Sequence, residues 1–373
     1  MAPIRVGVVG YGFAAKSFHL PFINAIPDYE VVAILQRAEA PADPASAAAG
    51  SHCTVDFPKA RHHRTADAFF ADADIDFVVV ATHTDTHVAF AEKALEAGKH
   101  VIVDKPFGRS AEEVDRAIAL AEKKGRILTC FQNRRWDGGF QTLRQLINKG
   151  ALGDVKEAEI VYDFENAPWL HMMTAKKYTP GDGMAFGLGT HSVDQAATLF
   201  GRPKSVTAFF RAQRGIESEV EDSFTIILQY DGPQKDLLVT VKTAVTSPVA
   251  EQLKFYVRGT KGSTSNAAPA LRRNRSRQAP DEGFGVESDD LRGVLTTYDE
   301  FDSSVQTLDP KTKKYTGRYP TITGRWIGIY ENVADAINGK AELEVKAQQS
   351  RDAIRVIELA RESHENGVTV AWK

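Results

Sequence analysis

Apolar and polar positions alternate in two distinct rhythms along the chain. From the N-terminus to about Asn133, short runs rich in β-branched residues are separated by helix-length stretches. Ile4 to Val9 reads as a first strand, Ala15 to Ala25 as a helix, and Glu30 to Gln36 as a second strand. The Ala-rich stretch Ala42 to Ala49 reads as a helix and Arg61 to Arg64 as a strand of ambiguous pattern. Phe77 to Thr82 is a near-continuous apolar run, as a strand buried on both faces requires. A helix from His87 to Ala97 stops at Gly98, and His100 to Asp104 returns as a strand. Ser110 caps a helix from Ala111 to Lys124, which ends at Gly125 before a strand from Arg126 to Phe131. This alternation predicts a parallel sheet with crossover helices.

After an amphipathic helix over Phe140 to Lys149, longer strands of period two appear at Val155 to Phe164, Ser205 to Phe210, Ser223 to Tyr230, Leu237 to Ala244 and Gln252 to Val257. One helix, Thr190 to Phe200, interrupts them. Strands in succession imply a largely antiparallel sheet. Residues 260–320 are polar and poorly periodic and read as a long surface excursion, and helices over Ile327 to Ile337 and Ala347 to His364 close the chain. The expected organisation is α/β: a parallel-sheet domain over residues 1–133, then a second domain over 134–373 of α+β type, on an open mixed sheet. The last helices either stay with the second domain or pack back on the first.

With 373 residues the chain is long enough for two cores, and 46 basic against 49 acidic residues leave no electrostatic drive toward nucleic acid or an anionic membrane. A small-molecule partner is therefore expected. The apolar runs fall far short of a membrane span, and Met1-Ala2-Pro3-Ile4-Arg5 leads into a strand rather than a signal peptide, so a cytoplasmic protein is expected. Cys53 and Cys130 offer no disulfide framework and no second cysteine for a zinc knuckle; they read as buried small hydrophobes, and no metal is expected.

The first candidate chemistry is Gly7-Val8-Val9-Gly10-Tyr11-Gly12-Phe13-Ala14-Ala15, which sets Gly10, Gly12 and Ala15 at GxGxxA spacing between a strand and a helix. Gly10 allows the turn, Gly12 lets backbone approach a pyrophosphate, and Ala15 keeps helix and strand close. Phe13 lies in the same turn. The second strand ends Gln36-Arg37 with no acid at its tip, where a carboxylate would take the ribose hydroxyl of NAD. Arg37 either receives a 2′-phosphate or is an exposed solubilising residue, and the reading favours NADP over NAD. Thr82, His83 and His87 follow the fourth strand, as cofactor-lining or helix-capping residues. A metal at His83 and His87 lacks a third ligand.

The segment Gly98-Lys99-His100-Val101-Ile102-Val103-Asp104-Lys105-Pro106, with the glycine turn, Asn133-Arg134-Arg135-Trp136-Asp137, Leu188-Gly189-Thr190-His191 and Val193-Asp194-Gln195, resembles the Gfo/Idh/MocA family of NAD(P)-dependent oxidoreductases over essentially the whole chain. Within it, the chain looks like the NADP-dependent scyllo-inositol dehydrogenase subgroup. The resemblance implies a Rossmann domain, an open-sheet second domain used for oligomerisation into a homodimer or larger assembly, a cis Lys105-Pro106 bond, and hydride transfer between nicotinamide and a cyclitol or sugar-like hydroxyl or carbonyl. It also implies that His191 lines the substrate pocket and shares proton transfer with Lys105.

On chemistry alone, Lys105 at a strand's carboxyl end is either an acid or base of lowered pKa or a snorkelling surface lysine. Asp104, Lys105 and Asn133 are expected near the cofactor, and Lys105, Arg134, Trp136, Tyr162 and His191 near the substrate. Trp169, His171 and Tyr178 would flank the entrance. Asp194 would orient the His191 ring or solvate its helix. One position departs from the family: the aspartate usually found four residues before the histidine is Gly187. This keeps open a reductase of a specialised carbonyl, imine or conjugated double bond, or a non-catalytic NADP-binding regulator. Asp182 would replace that aspartate or simply serve its Gly-Pro turn, the reading favoured here. His62-His63 between Arg61 and Arg64, and the run Arg272 to Arg277 followed by Asp281, Glu282, Glu287, Asp289 and Asp290, read as surface charge.

Overall fold

The computed structural model describes residues 2–165, 169–249, 251–267, 284–286 and 292–373, and the basic run and its acidic neighbours lie outside them. Two compact units emerge. The first comprises residues 2–133 and 327–351, the second the described residues of 134–267, 284–326 and 352–373. No helix among the described residues is long and apolar enough to cross a membrane.

In the first unit, β1 (Ile4–Val9), β2 (Tyr29–Leu35), β3 (Arg61–His63), β4 (Phe77–Val80), β5 (His100–Val103) and β6 (Leu128–Cys130) form one sheet in the order β3-β2-β1-β4-β5-β6. Every pairing is parallel. This is the doubly wound Rossmann arrangement, whose order reverses between β1 and β4 and so opens a crevice at their carboxyl ends. After β1 comes α1, a π-helical turn over Ala15–His19 that continues into Leu20–Ala25. The helix α2 (Cys53–Asp56) is a single turn and α3 spans Ala66–Phe70. Longer crossovers are α4 (Thr84–Glu96) and α5 (Ala111–Lys124). In α5 the Ser110 hydroxyl accepts the Glu113 N–H at 3.1 Å, and Gly125 closes the helix at φ 60°, as the sequence signals require. The helix expected over Ala42 to Ala49 does not form. Pro41 and Pro44 remove backbone donors and the segment is mostly exposed, so alanine propensity acts without an apolar face to bury.

The second unit is built on α6 (Gly138–Asn148), β7 (Val155–Val161), α7 (Thr190–Phe200), β8 (Ser205–Arg211), β9 (Ser223–Gln229), β10 (Leu238–Thr243), β11 (Leu253–Gly259), β12 (Gly262–Ala267), β13 (Val294–Thr297), β14 (Thr307–Leu308), β15 (Tyr315–Arg318) and, near the C-terminus, β16 (Val370–Ala371). They make a ten-stranded mixed sheet, antiparallel in every described pairing but that of β10 with β7. The expected excursion over 260–320 is corrected here, because its described residues supply four of these strands. Their inward positions include Thr264, Asn266 and Thr297, so the period-two signal is carried by polar side chains and hydropathy does not reveal it. The helix α8 (Gly328–Ile337) belongs to the first unit. The last helix, α9 (Ala347–Asn366), contributes Ile354, Ile357 and Leu359 to the core beneath the large sheet.

Candidate active site

The glycine turn after β1 shapes the first unit's main cleft, of about 830 Å³, whose walls include Gly10, Gly12, Phe13, Gln36, Arg37, Thr82 and His83. Gly10 has φ 97°, and a Cβ there would stand 2.6 Å from the Ala81 carbonyl oxygen, so only glycine fits. A Cβ at Gly12 would meet nothing within 4 Å, which leaves backbone open to the cleft. Ala15 is fully buried against the sheet. The residues therefore fit a dinucleotide's pyrophosphate at a helix N-terminus. At the tip of β2, Arg37 is exposed, and its carbonyl accepts the Arg64 Nε hydrogen at 3.3 Å. Arg64 also pairs with Glu39 at 2.8 Å, so two guanidinium groups and one carboxylate rim this end. A second groove of about 560 Å³ shares Tyr11 as a wall, but its cation, Lys16, is committed to the Gly50 carbonyl at 2.9 Å.

At the end of β5, Lys105-Pro106 is cis, as the resemblance implies. The Lys105 N–H donates to Asp104 Oδ1 at 2.7 Å. Burial pushes the Asp104 carboxyl upward, yet His19, whose Nε2 lies 3.7 Å away, and Lys105 together hold it below the usual carboxylate range. His19 is itself fixed by Tyr330, with Nδ1 2.7 Å from the phenol oxygen. His87 does not line the cleft: it is 1% exposed, with Nδ1 2.7 Å from the Pro106 carbonyl and Nε2 3.2 Å from that of Thr82. Its work is to hold the backbone that carries Lys105. Asn133 is buried in the 3-10 turn Asn133–Trp136 after β6.

Burial holds the His87 imidazole below its ordinary value of 6.5, so the unfolded chain binds the proton more readily. Stability from this group is complete above pH 6.5 and falls as pH drops below it, by up to about 1.4 kcal/mol per unit until the folded value is reached. Urea midpoints at pH 7.5 and pH 5.5 are expected to diverge less in His87→Asn than in the parent chain. Equal divergence would assign the effect to other groups.

In the second unit, Arg134 stands 5.2 Å from the ring centres of both Tyr162 and Trp326. Its Nη1 lies 3.3 Å from Asp137 Oδ2, and Asp137 also receives Lys254 Nζ at 3.2 Å and Trp326 Nε1 at 2.6 Å. Burial alone would raise the Asp137 pKa; Lys254 and Arg134 lower it. Tyr162 is buried, and its hydroxyl donates to Gln195 on α7 at 3.2 Å. Thus Arg134, Tyr162 and the α7 residue Gln195 come together, with His191 buried one turn earlier on that helix. The expectation that Asp194 solvates α7 is overturned: it is buried, and both its oxygens are engaged by Arg135. Asp182 accepts from Thr179 N–H at 3.0 Å and so serves its turn. A Cβ at Gly187 would meet only Met184 Sδ at 3.7 Å, an ordinary contact.

Comparison with known proteins gives this geometry a lineage. Residues 4–132 match the family model described as an oxidoreductase family with an NAD-binding Rossmann fold, and residues 140–265 match the GFO/IDH/MocA C-terminal domain. An oxidoreductase of Schizosaccharomyces pombe, itself uncharacterized, is 35% identical across 99% of this chain and 100% of its own. The chain belongs to the Gfo/Idh/MocA family of oxidoreductases. This Gfo/Idh/MocA chain is also similar to the NADP-dependent scyllo-inositol 2-dehydrogenase of Bacillus subtilis, with 29% identity over 98% of the chain and 95% of that protein. The solved structure of the Bacillus subtilis oxidoreductase yvaA superposes with a TM-score of 0.83, at 28% identity, covering 100% of this chain and 99% of that one.

Two parts of this Gfo/Idh/MocA chain carry little signal in the sequence. The His19–Asp104 contact joins positions 85 apart, and its only cue was a histidine inside an apolar helix face. His52, Cys53 and His62 form the second. They are the metal-competent group of histidine, cysteine and carboxylate side chains among the described residues, although the sequence pattern places Cys53 in the core and His62 at the surface. The cue was a His-Cys pair followed, across a single crossover, by a histidine on the next strand.

Proposed function

We propose that the enzyme is an NADP-dependent dehydrogenase of cyclitol or sugar-like alcohols, and that Lys105 moves the hydroxyl proton. The observation that carries this reading is the β2 tip, where Gln36 and Arg37 stand in place of a carboxylate beside a cleft open at Gly12. Similarity to an NADP-dependent scyllo-inositol dehydrogenase supports it. When bound, the nicotinamide supplies or accepts the hydride. The chain's own residues handle the rest. As a CH–OH group becomes a carbonyl, its oxygen gives up a proton, which Lys105 Nζ takes and returns in the reverse direction. His191 assists that transfer, and Arg134, Trp136 and Tyr162 orient the substrate. Asp104 and His87 hold the Lys105 backbone in place.

Gly187 favours a second reading, reduction of a carbonyl, imine or conjugated double bond that needs no family aspartate. Turnover of NADPH across cyclitols, aldoses and reactive carbonyls, with product analysis, separates the two. The homodimer or larger assembly belongs to the same proposal, since the outer face of the large sheet carries side chains such as Phe209 at 54% exposure. Arg37→Ala is expected to weaken NADPH binding about tenfold and to leave NADH binding unchanged, because a single charge-assisted phosphate contact is lost. Equal loss for both nucleotides in a fluorescence titration would remove Arg37 from phosphate recognition.

A further inference from the structure

We propose that His52, Cys53 and His62 form a site for a thiophilic divalent cation of the Zn²⁺ class, placed directly behind the β2 tip. One nitrogen from each imidazole and Cys53 Sγ lie within 4.8 Å of one another. Cys53 Sγ is 4.0 Å from His52 Nδ1, and the two rings meet edge to face with centres 4.6 Å apart. A thiolate and two imidazoles are a zinc-competent set that leaves a fourth position for water. Tetrahedral bonds of about 2.0 to 2.3 Å put ligand atoms roughly 3.5 Å apart, so on binding the three side chains close by between about 0.5 Å, for Cys53 with His52, and at most about 1.3 Å.

The surroundings suit that role. His52 Nε2 lies 3.3 Å from the Ala38 carbonyl oxygen and His62 Nε2 2.8 Å from that of Gln36. A ring that donates its Nε2 hydrogen to a carbonyl keeps Nδ1 as the lone-pair donor, and metal-bound histidines are commonly steadied in this way. His52 Nδ1 now accepts the Thr54 N–H at 3.2 Å as the cap of α2, and a bound cation takes over that lone pair. The Cys53 thiol gives its proton to solvent as the metal–sulfur bond forms.

The site is joined to the β2 tip from both sides. Gln36 Oε1 accepts the Cys53 N–H at 2.9 Å, while its carbonyl and that of Ala38 face the two imidazoles. These residues also line the main cleft, so a cation would fix the segment that meets the cofactor's adenosine end. This second consequence, unlike the binding itself, rests on the function proposed above.

The test uses the full chain with Co²⁺ as probe. A one-to-one complex with a thiolate-to-cobalt charge-transfer band is expected, and Zn²⁺ should displace it. Cys53→Ser removes the band, and His62→Gln, on a half-buried edge strand, keeps it while weakening affinity at least about tenfold. Near-UV circular dichroism verifies that both variants stay folded. No charge-transfer band, or a band unchanged in Cys53→Ser, overturns the site. With Zn²⁺ bound, NADPH affinity is expected to rise about fivefold. A metal complex without that rise overturns only the coupling, whereas a metal complex that binds no nucleotide at all overturns the cofactor assignment and leaves the site standing.

Discussion

Lys105→Met is expected to lower kcat about a thousandfold while the chain still binds its nicotinamide nucleotide, because a positioned acid or base contributes about 10² to 10⁴ in rate. The strand β5 delivers Lys105 to the carboxyl edge of the parallel sheet, where open α/β sheets hold their ligands. Its backbone is held on both sides: the preceding carboxylate accepts its N–H at 2.7 Å, and the carbonyl of Pro106 is tied to His87 at 2.7 Å. Methionine has a similar length without the ammonium, so loss of rate reports the proton carrier rather than the packing. Lys105→Arg keeps the positive charge but hardly titrates, and it is expected to remain far below the parent chain. Steady-state rates with an accepted substrate, beside a nucleotide titration, check both variants. A Lys105→Met enzyme that turns over at the parent rate ends the assignment of Lys105 as acid or base.

The parts of the fold legible in the sequence are those in which one-dimensional pattern and burial agree. Phe77–Val80 is apolar at every position because β4 is covered on both faces, and Ser110 with Gly125 marks the ends of α5 by local hydrogen bonds that need no tertiary partner. Gly10 and Gly12 were readable for the same reason, since their spacing is a backbone requirement. Elsewhere pattern and burial disagree. The alanines of residues 42–49 promise a helix but have nothing to pack against, and Thr264 and Asn266 point inward although hydropathy places them outside. Lys105 and Arg37 were visible only as residue types at strand ends. What holds them depends on contacts such as His87 with Pro106 and Arg64 with Arg37, which join separate crossovers and leave no local spacing to find.

Asp194 is the sharpest example of that long-range dependence, and its partner carries the largest expected effect on stability. Arg135 is 1% exposed, and its Nε and Nη2 reach Asp194 Oδ2 and Oδ1 at 2.8 and 2.6 Å, a bidentate pair between the turn after β6 and the helix that bears His191. Arg135→Met leaves that carboxylate buried without its guanidinium, and breaking such a pair from one side costs about 3 to 5 kcal/mol. Urea unfolding should show this as a lower midpoint with an unchanged slope. The double variant Arg135→Met/Asp194→Leu is expected to regain most of the loss, because well-packed apolar replacements of a buried ion pair are often neutral. A single variant as stable as the parent would mean that Asp194 finds another donor or water. A double variant no better than the single would mean that the guanidinium's packing matters more than its charge.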